Sequence, residues 1–542
     1  MPVLESRVAA QSESFQNNRA ALLALVDQLR ALEKRTRDKS AAAQTRFEQR
    51  GQLLPRERLG RLLDAGAPFL ELSTLAGYGL DKPDPAQSIP GGGMVAGIGW
   101  VGGARVIVVV DDAGIDAGAV QPMGIEKFQR AERIALDQKL PFIHLVESAG
   151  ANLLNYKVET FIHGGSNFYW LARLSAAGIP VISVVHGSST AGGAYMPGLS
   201  DYVVMVRNRA HAFLAGPPLL KAATGEIATA EELGGAEMHA ATSGLAEYLA
   251  EDDADALRIA RELVAALGWN RDLPVPPETR HAVPEPRFAA EELLGIAPAD
   301  SRKPIDMREV IARIVDNSSF LEFKPDYGPA TLTGHAAICG IGVGILSNNG
   351  PLDPAGATKA VHFIQACCQS GTALVFLQNT TGFIVGKASE QAGMIKHGSK
   401  MIQALANATV PRVTVHCGAS FGAGNYGMSG RGFAPDFCFA WPNAKTAVMG
   451  AEQAAGTMAT VMAEGMRRKG QPIDQAAIDA MRAKVIETFE RQADAFAVSA
   501  RLLDDGVIDP RDTRKVLACA LSVCYEARHR VLRPIQFGVA RP

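Results

Sequence analysis

Short segments of the first half of this chain recur in the second half, in the same order. The matched pairs are Arg61–Asp64 with Arg313–Asp316, Phe69–Leu72 with Phe320–Phe323, Met94–Gly99 with Ala337–Gly342, Pro141–Gly150 with Ala373–Gly382, and Ser188–Met196 with Ala419–Met428. One such match can arise by chance, but the common order and similar spacing favour a duplication. The alternative is two unrelated α/β domains that share common strand and turn sequences. A duplication constrains the fold strongly, because both halves then have the same architecture.

The last matched pair is a glycine-rich turn that follows an apolar strand in each half. Pro180–Val185 precedes the turn Ser188–Met196, and Val410–Val415 precedes the turn Ala419–Met428. Glycines leave the backbone N–H groups at the end of a strand unscreened by side chains. Such donors can stabilise a negatively charged oxygen that develops during a reaction. Two turns therefore predict two oxygens to be stabilised, one in each half.

A second loop at a strand end accompanies each turn. Ser148–Asn152 follows one apolar strand of the first half, and Gln378–Gly382 follows its counterpart in the second. In a layered α/β fold, loops at the ends of neighbouring strands lie near one crevice. The simpler interpretation of any single loop is that glycine only eases a tight turn. Because four loops form two matched pairs, we favour a functional interpretation.

The composition indicates a large protein with more than one domain. A chain of 542 residues, 47% of them hydrophobic, is too long for a single core, so two large domains are expected. The net charge of −2 provides no electrostatic footprint for nucleic acid. No secretory signal is visible, and no apolar run reaches the roughly 18 residues of a membrane span. The seven cysteines include no Cys-x-x-Cys pair, which argues against zinc and disulfides and fits a reducing cytosol.

The chain is expected to contain four regions. Leu22, Val26 and Leu29 recur at helical spacing near the N-terminus, and strand-like and helix-like segments alternate after them. Prolines between the halves indicate a linker. The regions are an N-terminal helical arm at 1–50, a first α/β domain at 51–272, a linker at 273–304 and a second domain at 305–542.

Two histidines are candidate bases. His186 stands just before the first turn and His416 just before the second. A histidine at a strand end, however, is more often packed or hydrogen-bonded than catalytic. The sequence contains neither a G-x-x-x-x-G-K-[ST] phosphate-binding loop nor an H-E-x-x-H zinc motif. The chemistry is therefore expected to depend on backbone donors rather than on a side-chain base.

Taken together, several motifs resemble those of the carboxyltransferase (β) subunits of biotin-dependent acyl-CoA carboxylases. The motifs are Glu147–Asn152, Thr190–Pro197, Gly216–Glu226, Gly422–Met428, Trp441–Ala444 with Val448–Gly450, and Ile508–Arg514. The resemblance covers nearly the whole chain, from about Gly51 to Pro542. Any one motif would be weak, but the set is highly specific.

The resemblance implies an α/β fold of two duplicated crotonase-like domains, each a ββα superhelix, in agreement with the repeated segments. It implies that the first domain holds an acyl-CoA thioester and the second holds carboxybiotin. The amides of Gly192 and Gly193 would then stabilise the thioester enolate. The amides of Ala423 and Gly424 would stabilise the ureido oxygen of biotin.

The same resemblance assigns further residues to the two sites. The acyl-CoA side is expected to include Ser148, Ala149, Gly150, Ala151, Thr190, Ala191 and Ala194. The biotin side is expected to include Thr381, Gly382, Phe421, Gly422 and Asn425. No metal ligand is expected. No general base is needed if the biotin anion takes the substrate proton once carboxybiotin has released CO2.

Parts of the sequence resemble geranyl-CoA carboxylase more than methylcrotonyl-CoA carboxylase. The similar stretches are Val146–Leu154, His186–Thr190 and Ile535–Pro542. Ala149, Ser189 and Tyr202 replace the Gly, Cys and Glu that are usual in the methylcrotonyl enzymes. Both substrates are β-methyl-α,β-unsaturated thioesters, carboxylated at the γ carbon through a dienolate. Geranyl-CoA is therefore the expected substrate, with 3-methylcrotonyl-CoA or another acyl-CoA as the alternative.

The resemblance also implies partners. The sequence contains no Ala-Met-Lys-Met biotin attachment segment and no glycine-rich nucleotide-grasping region. A separate biotin carboxylase/biotin carrier (α) subunit is therefore expected to supply carboxybiotin, and no cofactor is expected to be bound covalently. The chain is expected to form a homo-oligomer, the β6 core of an α6β6 complex, in the bacterial cytoplasm, without nucleic-acid or membrane contacts.

Two other functions compete with carboxyl transfer. Related subunits serve sodium-pumping decarboxylases, which run the transfer in reverse. A co-purifying membrane decarboxylase subunit would favour that function, whereas a biotin carboxylase partner would favour carboxylation. The third possibility is a noncatalytic core that only docks a partner, and activity of the reconstituted complex after a change at Gly193 discriminates it.

Overall fold

The chain divides into two compact units. The computed structural model describes residues 1–80, 82, 84–151, 157–274 and 283–535. We call the two units the N unit and the C unit. The N unit comprises Ala31–Pro274, Ala500–Leu502 and Val523–Pro542, and the C unit comprises Met1–Arg30, Val275–Ser499 and Leu503–Ser522. The four predicted regions remain a prediction, and part of the predicted linker (275–282) lies outside the described residues.

A mixed, mostly parallel sheet forms the centre of the N unit. Its strands are β1 (Leu70–Leu72), β2 (Met94–Val101), β3 (Ala104–Asp111), β5 (Phe142–Ser148), β7 (Val181–Thr190), β8 (Tyr202–Val206), β9 (His211–Phe213) and β10 (Tyr248–Ala250), and a separate short pair is β4 (Ala119–Val120) with β6 (Gly150–Ala151). The order is β1-β2-β3-β5-β7-β8-β10, with β9 paired to the end of β7. β1, β2 and β3 pair antiparallel, and the remaining pairs are parallel.

The C unit repeats this sheet. Its strands are β11 (Leu321–Glu322), β12 (Thr331–Ile338), β13 (Ile341–Asn348), β14 (Ala373–Thr380), β15 (Arg412–Phe421), β16 (Phe437–Ala440) and β17 (Lys445–Ala447). The order is β11-β12-β13-β14-β15-β16, with β17 paired to the end of β15. Strand directions match those of the N unit pair by pair.

Helices accompany the sheets along the whole chain. As far as residue 267 they are α1 (Glu13–Ala41), α2 (Gln44–Gln49), α3 (Pro55–Leu62), α4 (Pro122–Asp137), α5 (Val158–Ala176), α6 (Tyr195–Gly198), α7 (Pro217–Thr224), α8 (Ala230–Gly234), α9 (Ala236–Met238) and α10 (Asp253–Leu267). The later helices are α11 (Leu293–Ile296), α12 (Met307–Ala312), α13 (Pro354–Ser370), α14 (Lys387–Gln391), α15 (Met394–Ala406), α16 (Gly422–Gly427), α17 (Ala451–Arg468), α18 (Gln475–Ala493), α19 (Ala495–Ala500) and α20 (Thr513–His529).

The sequence explains why the central strands lie inside each unit. β3 reads Ala-Arg-Val-Ile-Val-Val-Val-Asp, and every residue before its terminal aspartate is buried. Strands covered on both faces need continuous apolar runs of this kind, rich in β-branched residues. α1 follows the other pattern, with Leu22, Val26 and Leu29 buried along one face.

Equivalent hydrogen bonds to a β-hairpin turn occur in both units, as expected for a duplication. Asp64 accepts hydrogen bonds from the amides at 102 and 103, in the turn between β2 and β3. Asp316 accepts equivalent bonds from the amides at 339 and 340, between β12 and β13. Such a carboxylate satisfies two turn donors at once. The hairpin and its carboxylate therefore occupy equivalent positions in the two units.

An arginine completes each of these hairpin contacts. Arg261 of α10 pairs with Asp64 at 2.8 Å and donates to the carbonyl of Leu62. Arg514 of α20 pairs with Asp316 at 2.6 Å and donates to the carbonyl of Ile314. The duplication predicted from sequence thus extends to contacts that the sequence comparison did not use.

Candidate active site

The first turn lies at the end of the long strand β7. The strand continues to Thr190, further than the apolar run predicts, because Ser188–Thr190 pairs with β9. A 3₁₀ turn, Ala191–Ala194, follows and leads into α6. Gly192 and Gly193 therefore lie in the first turn of a helical segment, where amides lack partners one turn earlier. A 3₁₀ turn closes its hydrogen bonds one residue sooner than an α-helix and leaves fewer such amides.

The second turn has the same placement at the end of β15. This strand continues to Phe421 because Ala419–Phe421 pairs with β17. α16 begins directly at Gly422 and includes Ala423 and Gly424, so its first amides have no partner within the helix. The two turns begin alike, since Ala191 and Gly422 both have a φ of 55°.

The companion loops also correspond in detail. The amide of Gly150 donates to Ser148 Oγ at 3.1 Å, and the amide of Gly382 donates to Thr380 Oγ1 at 3.2 Å. The amide of Ala149 donates to the carbonyl of Gly118 at 3.3 Å. In both loops the side-chain oxygen at the strand end fixes the turn that follows. Asn152, which belongs to the first predicted loop, lies outside the described residues, as does the side chain of Ala151.

Within each unit, strand pairing brings the loop to the turn. Ser148 pairs with Ser189 in the N unit, and Thr380 pairs with Ser420 in the C unit. The loop of Ser148–Gly150 and the turn of Thr190–Ala194 are therefore neighbours. Thr381 and Gly382 are in the same way neighbours of Phe421–Asn425. Each unit thus assembles the residues that the sequence assigned to it.

The space available for a side chain differs between Gly193 in the first turn and Gly424 in the second. A Cβ atom on Gly424 would lie 2.8 Å from the Cα of Gly382, which is too close for any side chain. A Cβ on Gly193 would meet only Ser189 Oγ at 3.5 Å, an ordinary contact. The second turn is therefore packed tightly against its companion loop, whereas the first has room beside it.

Hydrogen bonds among Gln378, Ser420 and Asn425 fix the second turn, and the sequence analysis assigned only Asn425 of these to the site. Ser420 Oγ donates to Gln378 Oε1 at 2.5 Å, and Asn425 Nδ2 donates to Ser420 Oγ at 2.7 Å. Gln378 Nε2 in turn donates to the carbonyl of Met428. Asn425 was assigned to biotin binding, but here its amide group holds the helix to the strand end.

The segment Gly418–Gly422 has the G-x-S-x-G spacing of a hydrolase nucleophile. Its serine, Ser420, lies inside β15, is fully buried and is bonded to Gln378. A nucleophile elbow requires an exposed serine in a strand-to-helix turn. The spacing therefore carries no hydrolase chemistry here.

Neither histidine is placed to act as a base at the turns. His186 is fully buried, and its Nδ1 lies 3.0 Å from Asp253 Oδ1. Burial and the charge of Arg58 lower the pKa of His186, and burial lowers the pKa of His416 to about 4. Both rings are therefore neutral at pH 7 and face the protein interior. This agrees with a reaction that depends on backbone donors.

A buried ionic network lies next to the first loop, and the sequence analysis did not predict it. Arg58 contacts Glu147 at 2.5 Å and Asp253 at 3.0 Å. Glu147 is the residue before Ser148, and Asp253 also binds His186. A signal was present in principle, because Glu147 is a charged residue at the end of a continuous apolar run. Its partners, however, are distant in sequence.

No group of three or more metal-ligating side chains occurs in the part of the chain that the structure describes. In the same part, no helix is long and apolar enough to cross a membrane.

The order of strands, turns and loops matches a known family over nearly the whole chain. The family profile described as Carboxyl transferase domain matches residues 46–536. The chain belongs to the carboxyl transferase family.

Curated relatives of this carboxyl transferase belong to biotin-dependent carboxylases. The probable biotin-dependent acyl-coenzyme A carboxylase beta2 subunit of Mycobacterium tuberculosis is 50% identical, over 92% of this chain and 92% of the relative. The biotin-dependent 3-methylcrotonyl-coenzyme A carboxylase beta1 subunit of the same organism is 46% identical, over 92% of this chain and 93% of the relative. The expected assignment to the carboxyltransferase β subunits is confirmed.

A solved structure agrees with the fold of the carboxyl transferase. The crystal structure of the β subunit of P. aeruginosa geranyl-CoA carboxylase is 51% identical, with a TM-score of 0.92, and covers 99% of this chain and 100% of that chain. The predicted duplicated, crotonase-like α/β fold is confirmed. The chain is thus an enzyme subunit, and its individual site residues remain predictions.

Proposed function

We propose that this carboxyltransferase moves the carboxyl group from carboxybiotin to the γ carbon of geranyl-CoA. The observation that carries the proposal is the similarity to the geranyl-CoA carboxylase β subunit, at 51% identity over almost the entire length of both chains. Similarity to the 3-methylcrotonyl-CoA carboxylase subunit is lower, at 46% identity. 3-Methylcrotonyl-CoA is accordingly the alternative substrate.

The turn of the N unit would bind the thioester. An enolate oxygen requires donors about 3 Å away. The amides of Gly192 and Gly193, at the start of a helical segment, would supply these donors, with Thr190, Ala191 and Ala194 beside them. The loop Ser148–Gly150 would line the other side of the acyl group, because Ser148 pairs with Ser189.

The turn of the C unit would bind the ureido group of biotin. The amides of Ala423 and Gly424 begin α16, where the helix dipole also favours a negatively charged oxygen. Gly382 packs against Gly424, which supports its assignment to the same site. Carboxybiotin supplies the carboxyl group and leaves an anion that can accept the substrate proton. The buried, neutral histidines of this chain are then not required as bases.

We further propose that the site is completed between copies of the chain. Large apolar side chains are exposed in both units, including Phe161 and Tyr195 on helices of the N unit, Val385 in the loop before α14 and Tyr426 on α16 of the C unit. Apolar surface of this kind favours association. The expected assembly is a face-to-face homo-oligomer, a β6 core that binds an α subunit with biotin carboxylase and biotin carrier functions.

The experiment is an ATP-dependent assay of bicarbonate incorporation by the complex with its cognate biotin subunit. The acyl-CoA panel contains geranyl-, 3-methylcrotonyl-, propionyl- and acetyl-CoA. We expect kcat/KM to be highest for geranyl-CoA. A large preference for propionyl- or acetyl-CoA contradicts the proposal, as does a complex that only decarboxylates. Light scattering of the active β subunit checks the oligomer, and an active monomer would disprove it.

A further inference from the structure

The two units have the same architecture but differ in what lies below their site loops. In the N unit, the charged side chains of Arg58, Glu147 and Asp253 meet there, and each is almost completely buried. The positions that correspond to Arg58 and Glu147 in the C unit are Val310 and Asn379. These equivalences follow from the matched Arg56 and Arg308 ion pairs and from the matched strand pairings. Only the acyl-CoA side therefore has this ionic network.

The network connects four separate parts of the N unit. Arg58 on α3 donates from Nη1 to Glu147 Oε2 at the end of β5. The same guanidinium donates from Nε to Asp253 Oδ2 at the start of α10. Asp253 Oδ1 binds His186 near the end of β7. One arginine thereby ties both strands that end in the site, β5 and β7, to the surrounding helices.

Gln52 adds a direct link between those two strand ends. Its Nε2 donates to Glu147 Oε1 at 3.1 Å and to the carbonyl of His186 at 3.1 Å. Gly187 leaves the space for the carboxylate, because a Cβ there would lie 2.7 Å from Glu147 Oε1. The carboxylate of Glu147 is therefore held from two sides and fits against the bare backbone of β7.

Burial makes this arrangement rigid. Ionised groups removed from water are stable only in a geometry that keeps all of them paired. Burial alone would raise the pKa of Asp253, but the hydrogen bond from His186 and the charge of Arg58 lower it overall. A shift of Glu147 would break the bond from Arg58 Nη1, and Arg58 Nη2 has no hydrogen-bond partner among the described residues that could replace it. Because Glu147 directly precedes Ser148, the loop that begins at Ser148 is held in one position.

We propose that Arg58 and Glu147 are positioning residues that set the Ser148–Gly150 loop against the first turn, and thereby orient the acyl-CoA. This inference rests on the proposed function, because it needs the N unit to hold the acyl-CoA. The C unit achieves the corresponding effect with neutral groups, through the hydrogen bonds among Ser420, Gln378 and Asn425. The architecture therefore does not require the ionic network, because the C unit has the same fold with Val310 and Asn379 at these positions.

The test compares Glu147→Gln with a matched control, Arg105→Met. Arg105 forms a buried ion pair with Glu526 at 3.0 Å within the same unit. It lies near the start of β3, which runs parallel to β5, so it is at the sheet edge opposite to Ser148. Arg58→Lys is the second variant, because an ammonium group cannot bridge two carboxylates as a guanidinium does.

The first measurement is hydrogen–deuterium exchange of a peptide covering 142–150 in the β subunit without substrate. We expect faster exchange in Glu147→Gln and Arg58→Lys than in wild type, and no change in Arg105→Met.

The second measurement is steady-state kinetics of the complex with the biotin subunit. We expect kcat/KM for the acyl-CoA to fall by about tenfold or more in both network variants, since misplacement by an ångström can cost 10²-fold. The half-saturating concentration of the biotin subunit should stay within about twofold.

Unchanged exchange in both network variants overturns the inference, as does an equal effect of Arg105→Met on kcat/KM. A network variant that loses affinity for the biotin subunit rather than for acyl-CoA also overturns it. If wild type carboxylates none of the acyl-CoAs, the proposed function fails, and the exchange measurement still decides whether the network positions the loop. If Glu147→Gln does not fold, Arg58→Lys provides the same comparison.

Discussion

At the scale of single residues, the two turns show how one backbone accepts different side chains. Ala191 and Gly422 begin the turns with the same left-handed φ of 55°. That conformation costs an alanine roughly 1–2 kcal/mol and costs glycine little. The N unit therefore carries backbone strain at a predicted site residue that the C unit avoids. Strain of this kind is typical of functional turns whose surroundings hold them in place.

The glycines at the third positions of the turns have different steric requirements. Neither Gly193 nor Gly424 has a positive φ, so alanine is compatible with both backbones. On Gly424, however, the new Cβ would collide with Gly382, and the companion loop must move. We expect Gly424→Ala to lose more than about tenfold in kcat and Gly193→Ala to stay within about threefold. Steady-state kinetics of the two variants, with thermal unfolding as a control for folding, makes the comparison, and the reverse ranking would contradict it.

The sequence predicted the site at this scale only where glycine and order along the chain carry information. Gly192, Gly193 and Gly424 were singled out because glycine recurs after an apolar strand in both halves, and their role in the site stays a prediction. Gln378 Nε2 lies 3.5 Å from the carbonyl oxygen of Asn425, a residue 47 positions later in the sequence. Their contact depends on the pairing of β14 with β15, which no local pattern records. The network around Arg58 was missed for the same reason.

At the scale of elements, the equivalent helices α4 and α13 differ in polarity at one buried position. In α4, Gly124 packs against Gly92, and in α13, Gly356 packs against Gly328. With this alignment, Glu132 of α4 corresponds to Ile364 of α13. Both are fully buried, but both carboxylate oxygens of Glu132 have no hydrogen-bond partner among the described residues. Burial raises the pKa of Glu132 well above its usual value.

A raised pKa in the folded state makes stability fall as the pH rises. Folding then takes up a proton, so Glu132 should destabilise the protein progressively above its unfolded pKa, near 4.5. We expect Glu132→Ile to raise the thermal midpoint at pH 8, by a stability increment of about 1–3 kcal/mol, and to have a smaller effect at pH 5. Thermal unfolding of both proteins at the two pH values measures this. The reciprocal variant Ile364→Glu should be destabilising, and a pH-independent difference for Glu132→Ile would contradict the argument.

The length of β7 shows that hydrophobic patterns in the sequence do not record strand pairing. The apolar run before the first turn ends at Val185, but β7 continues to Thr190. Ser188 and its neighbours are extended because β9 supplies hydrogen-bond partners from a segment about 20 residues later. Hydrophobic periodicity reports burial and not pairing, so it locates the start of such a strand better than its end.

At the scale of the whole molecule, neither unit is a continuous stretch of sequence. The N unit includes Val523–Pro542, and the C unit includes Met1–Arg30. Within the N unit, Glu526 pairs with Arg105, and Arg530 donates to Asn270 Oδ1 at 3.0 Å. Glu526 and Arg530, from the C-terminal part of the chain, are therefore buried against residues of the first half. This return of the chain to the N unit was not predictable from the sequence, because it depends on buried charges in a helical segment.

A cut between the halves should for this reason damage both units. We expect the fragment 1–274 to be aggregated or partly unfolded when produced alone, because it lacks the whole C-terminal segment of the N unit, in which Glu526 and Arg530 are only two of the contacts. Coexpression with the fragment 275–542 should restore a soluble complex. Size-exclusion chromatography and thermal unfolding make the comparison. A stable, monodisperse 1–274 fragment would show that the carboxyl-terminal contacts are dispensable.

The matched hairpins have one more consequence, which concerns how the protein changed over time. Two copies within one gene have shared the same cell and the same generations since they separated. Where they still agree, as at Asp64 and Asp316, the agreement marks what any such unit must keep in order to hold its shape. Where they disagree, as at Glu147 and Asn379, the proposed role of Glu147 in orienting the acyl-CoA would explain the difference. Comparison of equivalent positions within one chain thus distinguishes residues kept for the fold from residues that changed with the function of one unit.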